Sequence, residues 1–230
     1  MLNFELLSEF NLTEKQKSKL NTFYELVINY NKLFNLTAIV EEEDFLIKHF
    51  YDSLSITKFI KVDNDENVMD LGTGAGFPGI CLAIFYPNTN FYLVETTKKK
   101  IKFLEVVIDE LSLNNVTLLN YRAELLPTKY KEFFDKVLSR AVSELRILSE
   151  LSIPYLKVDG KLYSYKGIKY LEEIKNSEST LKVLNSEIKN IFSYKLPLLN
   201  IMHYIIEINK YKNCDIKYPR SYAKILKETI

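Results

Sequence analysis

Apolar residues recur at helical spacing through the first sixty positions. Thr13 and Gln16 form a T-x-x-Q capping box, and Leu20, Phe23, Tyr24, Val27 and Phe34 follow along one face. A second helix is predicted to begin within 41–44, where acidic residues suit a helix N-terminus, with Phe45, Leu46, His49, Phe50 and Leu54 on its apolar face. The polar, turn-like stretch 62–67 ends this helical region. Beyond it the pattern alternates. Strands are predicted at 67–71, 90–95, 116–120, 135–139 and 161–165, and helices at 79–85, 98–111, 144–155 and 170–184. Two late strands follow near 188–195 and 202–209. Strands alternating with helices imply a mostly parallel, seven-stranded α/β sheet covered on both faces. The expected division is an N-terminal helical segment, 1–61, and a Rossmann-like domain, 62–230, packed as one unit.

The glycines narrow the picture. Four of the six lie between Gly72 and Gly79, so the backbone there has a special requirement. Ligands on open α/β sheets bind at the carboxyl ends of strands, which is where 70–79 and Glu95 fall. The loop Asp70-Leu71-Gly72-Thr73-Gly74-Ala75-Gly76-Phe77-Pro78-Gly79 admits two readings. Gly74-x-Gly76-x-x-Gly79 matches a dinucleotide fingerprint, with Glu95 at the distance of a ribose-binding acid. Asp70-x-Gly72-x-Gly74-x-Gly76 is the longer match and is similar to the loop of class I methyltransferases. A carboxylate at Asp70 suits the cationic methionine end of S-adenosylmethionine better than a pyrophosphate, which wants bare N–H groups. Glu95 would accept the ribose hydroxyls.

Composition adds exclusions. The formal charge is +1, so a nucleic-acid surface must be local. Between Asn209 and Ile230 six basic residues, Arg220 and Lys224 among them, face two acids, a local excess that suits phosphate contacts. The two cysteines, Cys81 and Cys214, form no C-x-x-C pair, which argues against a metal site or disulfide framework and fits a cytoplasmic protein. No apolar run reaches the roughly 20 residues that a membrane span needs. Neither an N-P-P-Y or D-P-P-Y run nor a Pro-Cys dipeptide occurs, so the signatures of exocyclic-amine and cytosine-C5 methylation are missing.

Further stretches make the resemblance specific. They are Asn35-Leu36-Thr37, Lys48-His49-Phe50-Tyr51-Asp52-Ser53, the loop through Gly79-Ile80, Arg122-Ala123-Glu124, Ser139-Arg140-Ala141 and Lys166-Gly167. In this order they resemble the glucose-inhibited division protein B family, whose members are small-subunit rRNA methyltransferases that modify guanine N7 in 16S rRNA. The resemblance implies a class I methyltransferase fold, S-adenosylmethionine as cofactor, and 16S rRNA or a small-subunit particle as partner of a monomeric enzyme. It implies that Gly72, Gly74, Phe77, Ala123, Glu124 and Arg140 join Asp70 and Glu95 at the cofactor. Arg140 is the expected catalytic residue, positioning cofactor and guanine together. His49, Lys166, Arg220 and Lys224 are the expected RNA-facing residues. Two departures stand out: Lys48 replaces an arginine, and the tail 218–224 lacks the family's G-x-P-x-K segment. A small-molecule methyltransferase and a non-catalytic adenosylmethionine-binding regulator are the competing functions. The helical N-terminus and basic tail favour a macromolecular substrate, and the intact loop favours an enzyme.

Overall fold

The computed structural model describes residues 2–230. After a 3-10 turn at Phe4–Phe10, α1 (Glu14–Phe34) opens on the predicted capping box. Gln16 N donates to Thr13 Oγ1, and Thr13 N donates back to Gln16 Oε1. Asn35 ends α1 in the left-handed region, φ +50°, as asparagine tolerates. The second helix is one winding stretch in several pitches: α2 (Glu42–Phe45), a π-helical segment (Leu46–Tyr51), α3 (Asp52–Leu54) and a 3-10 turn (Ser55–Lys58). The remaining order is β1 (Asn67–Leu71), α4 (Gly79–Phe85), β2 (Asn90–Val94), α5 (Lys98–Glu110), β3 (Val116–Leu119), β4 (Phe134–Arg140) and α6 (Leu145–Ser152). Then come β5 (Leu156–Lys166), α7 (Tyr170–Val183), β6 (Ser186–Leu196), β7 (Ile201–Lys210) and α8 (Tyr222–Lys227).

The seven strands form one sheet in the order β3-β2-β1-β4-β5-β7-β6. The first five run parallel, and the β6–β7 hairpin closes the edge antiparallel to β5. The order reverses direction between β1 and β4, the place where an open α/β sheet leaves a crevice at its carboxyl edge. Alternation along β1 divides the core in two. Val68 faces one cluster, shared with α4 and α5, while Met69 and Leu71 face the other, under α6 and α7. The N-terminal helices join the first cluster: Phe23, Phe45 and Phe50 pack with Phe77, Ile80 and Leu104. Helix α4 is buried from Gly79 to Ile84 because α1 covers the side that a surface helix would show to water.

One boundary departs from the sequence expectation. β5 begins at Leu156 rather than 161, and α6 gives way to a 3-10 turn at Ile153–Tyr155. Asp159 sits at φ +65°, but the chain crosses Asp159-Gly160 as an irregularity in the β4–β5 pairing and remains strand. No helix among the described residues is long and apolar enough to cross a membrane.

Candidate active site at the carboxyl edge of the sheet

The loop from β1 into α4 turns through three left-handed glycines: Gly72 at φ +73°, Gly74 at +62° and Gly76 at +100°. The amides of Gly72 and Thr73 donate to Val94 O, which pins the loop across the end of β2. Asp70 lies beneath it, fully buried. Its Oδ2 accepts the Gly79 amide at 2.8 Å, while Oδ1 and the hydroxyl of Thr73 have no partner among the described residues. Burial pushes the Asp70 carboxyl up to about 6, although the Gly79 amide and the Arg140 charge pull the other way. A half-satisfied buried carboxyl under a bare-backbone loop is a fitting neighbour for a cationic ligand.

A cavity of about 350 Å³ opens in front of this loop, walled by Gly72, Glu95, Ala123, Glu124, Val142 and Tyr222 among others. Glu95 divides its carboxylate. Oε1 accepts the amides of Thr96 and Thr97, both at 2.8 Å, at the start of α5, leaving Oε2 3.8 Å from Lys100. One oxygen, not two, is therefore free of backbone work. Ala123 is fixed by the Tyr155 hydroxyl on its carbonyl at 2.5 Å, and Glu124 takes the Nε of Arg122 at 2.7 Å. A mostly apolar slot with an acid at one end and glycine backbone at the other fits a nucleoside with a charged tail.

The C-terminal segment reaches this same cavity. Tyr222 lies 5.0 Å from the Arg122 guanidinium and forms part of the wall. It is held there by Arg220, whose guanidinium grips Glu150 of α6 through Nε and Nη2, each at 2.8 Å, and reaches Glu228 O at 2.7 Å. Sequence reasoning gave Arg220 to RNA phosphate. In the fold its charge is committed to Glu150, which is almost completely buried and needs a cation. Lys224 stays exposed.

A second, larger cavity of about 690 Å³ lies beside the first, over the ends of β4, β5 and β7. Val142 lines both and forms the partition between them. Arg140, at the end of β4, is the centre of the larger one. Nη1 donates to Asp52 Oδ2 at 2.7 Å and to Lys48 O at 3.0 Å, Nη2 meets His49 Nδ1 at 3.2 Å, and the guanidinium sits 5.5 Å from the centre of the Phe77 ring. Three of its five N–H groups are thereby used. Asp52 is a hub as well. Its Oδ1 accepts from the Tyr194 hydroxyl at 2.6 Å and from His203 Nδ1 at 2.7 Å. Burial works to raise the Asp52 carboxyl, but the His203, Arg140 and Tyr194 partners outweigh it and hold the group below the usual carboxylate range.

His49 is buried with its ring stacked on Phe77, centroids 4.3 Å apart. Arginine can only donate, so Nδ1 is the acceptor and Nε2 carries the proton to Thr37 Oγ1 at 2.8 Å. Thr37 thus explains the N-L-T motif: it orients a neutral imidazole behind Arg140. Burial, with Arg140 adding to it, pushes the His49 ring down to about 3. The unfolded chain then binds a proton below about 6.5 that the fold refuses, so His49 lowers stability as pH falls from there towards 3. Nitrogen-15 NMR of His49 is expected to show an untitrated Nε2–H ring between pH 5 and 8. A titration midpoint near 6.5 would contradict this placement.

The fold brings Gly72, Glu95, Ala123 and Glu124 around the smaller cavity, keeps Asp70 buried beneath the glycine loop, and brings His49, Arg140 and Lys166 around the larger. Gly74 opens to space at the mouth of the loop: a Cβ there would meet only Gly72 O, at 3.9 Å. Phe77 is buried and acts from below, as a platform under His49 and Arg140. Lys166 pairs with Glu173 at 2.5 Å and donates to Ser143 O at 2.7 Å, so it fastens the loop after β4. Tyr194, His203, Val142 and Tyr222 escaped sequence reasoning, because they stand on the edge hairpin, on an exposed loop and in the divergent tail, in no recognisable pattern. Among the described residues no group of His, Cys, Asp and Glu is placed to hold a metal.

Comparison with known proteins agrees with this architecture. The model of the family described as rRNA small subunit methyltransferase G matches residues 16–202. The ribosomal RNA small subunit methyltransferase G of Thermoanaerobacter pseudethanolicus is 45% identical over 86% of this chain and 83% of its own. Its namesake from Fusobacterium nucleatum is 44% identical over 94% of this chain and 93% of its own. Among solved structures, TYW2 of M. jannaschii in complex with AdoMet superposes with a TM-score of 0.54 at 17% identity, over 70% of this chain and 76% of that one. Precorrin-6y C5,15-methyltransferase from Geobacter metallireducens gives 0.51 at 16%, over 75% and 90%. These likenesses show the class I methyltransferase fold.

Proposed function

Because the chain belongs to the rRNA small subunit methyltransferase G family, we propose that it transfers a methyl group from S-adenosylmethionine to N7 of a guanine in 16S rRNA. The observation that carries this reading is the partition at Val142. A nucleoside-sized slot and a larger pocket centred on Arg140 meet there, at the reversal point of the sheet. Glu95 and Ala123 would hold the adenosyl group, and Gly72 and Gly74, above the buried Asp70, would hold the methionine end. The cofactor brings an electrophilic methyl on a sulfonium.

Guanine N7 carries an in-plane lone pair and no proton, so the chain needs no general base. The neutral state of His49 and the silence of Cys81, whose thiol burial pushes up to about 12, accord with that. What the residues supply is alignment. Arg140 is locked by Asp52, His49 and Lys48 O and keeps two N–H groups unspent, suited to guanine O6 while N7 stays open. N7 lies in the deep groove of A-form RNA, so the target must be a loop or an unfolded region. The substrate is 16S rRNA or a small-subunit particle, met in the cytoplasm by a monomeric enzyme. Lys224, exposed on the tail, remains a candidate phosphate contact.

The test is to incubate the purified protein with small subunits from a strain lacking the modification and to map 7-methylguanosine. One new site is the expected result; a methyl group on another atom or on no nucleotide would sink the reading. The tail gives a second expectation. Arg220→Ala frees Tyr222 from the wall and should raise the adenosylmethionine Kd about ten-fold, whereas Lys224→Ala should leave it unchanged in calorimetry. Equal affinities in both variants would show that the tail does not shape the slot.

A further inference from the structure

Sequence patterns offered no role for His203. It sits on β7, two strands away from β4, with its ring part-exposed in the larger cavity. Asp52 is an ionised acceptor, so the His203 Nδ1 that meets Oδ1 at 2.7 Å must carry a proton. Nε2 then points away from Asp52, and it has no hydrogen-bond partner among the described residues. The ring cannot turn over without losing the Asp52 bond, and Tyr194 on the same oxygen fixes the carboxylate in turn.

Arg140 and His203 flank one carboxylate, each on its own oxygen, and so present two groups side by side. Arg140 offers donors. His203, when neutral, offers the Nε2 lone pair as an acceptor. Guanine presents the complement along one edge, with N7, then the O6 acceptor, then the N1–H donor; adenine inverts the last two. The sheet order runs the same way. From the smaller cavity the ends of β1, β4, β5 and β7 follow in turn, so Arg140 comes before His203.

We propose that His203 is the guanine-reading residue, its Nε2 accepting the N1–H of the target base while Arg140 donates to O6. The inference rests on the N7-methylation reading above. It also has a place in the reaction. Methyl transfer moves one positive charge from the sulfonium onto the guanine ring; no proton is lost and none is gained. As that charge develops, the N1–H becomes a stronger donor, so a bond to a neutral imidazole tightens in the transition state. A protonated His203 would instead set one cation against another.

The experiment compares wild type with His203→Phe and His203→Gln. It uses small subunits lacking the modification, in single-turnover 7-methylguanosine formation over a range of subunit concentrations. His203→Phe should lose about thirty-fold in rate at saturation, the size of one lost hydrogen bond to a polar base edge, with adenosylmethionine affinity unchanged by calorimetry. His203→Gln retains an acceptor at the Nε2 position and should recover most of the rate. Nitrogen-15 NMR of the unliganded protein should place the proton of the neutral His203 ring on Nδ1, the nitrogen that meets Asp52. A normal saturating rate in His203→Phe would overturn the proposal. So would equal loss in the Gln variant, or a ring protonated on Nε2. If wild type itself made no 7-methylguanosine on these subunits, the N7 reading would fall and His203 would lose the base assigned to it.

Discussion

Arg140→Ala is expected to reduce methyl transfer at saturating rRNA by more than about 100-fold while adenosylmethionine still binds. Among the described residues, Arg140 is the one side chain that touches Asp52, His49 and the backbone of Lys48 and also faces the larger cavity. Its loss removes the donor held over the base and lets the partition at Val142 shift. Stability falls too. Asp52 would keep a buried carboxylate with Tyr194 and His203 but no permanent cation, and breaking such a pair costs about 3–5 kcal/mol. Arg140→Lys separates the two effects. It restores a charge beside Asp52 but not the planar fork, so thermal stability should return further than the rate does. The measurement is single-turnover methylation, with the melting temperature recorded for each variant. A normal rate in Arg140→Ala at saturation would remove Arg140 from the reaction.

Gly72→Val is expected to abolish adenosylmethionine binding in calorimetry while the sheet stays folded. Two costs combine. A branched residue at φ +73° is strained by at least about 1–2 kcal/mol. A Cβ would also stand 2.4 Å from Val142 Cγ2, so the loop after β4 must move. That loop is exposed, which is why the damage should stay at the mouth of the smaller cavity. Gly72→Ala combined with Val142→Ala relieves the clash but not the backbone strain, and should recover binding only in part. Unimpaired binding in Gly72→Val would mean that the loop does not contact the cofactor.

Much of this was written in the residues themselves. The capping box at Thr13 and Gln16, the alternation of strand and helix from Asn67, and the glycines packed into 72–79 are local signals. Each depends on the spacing of side chains along one segment or on a backbone angle that only glycine takes freely. They were enough for the sheet, the loop and the position of Glu95. The tertiary structure decided whatever depends on which surfaces meet. Asp52 reads from sequence as the acid of a helical motif, three residues after His49; it becomes a hub because β6 and β7 fold back along β5 and bring Tyr194 and His203 to it across more than 140 residues. Arg220 reads as part of a basic tail, yet Glu150 is buried and draws the guanidinium inward, and Tyr222 follows into the cavity wall. A charge can be counted from sequence, but its partner is fixed only when burial makes an unpaired carboxylate too costly to leave alone.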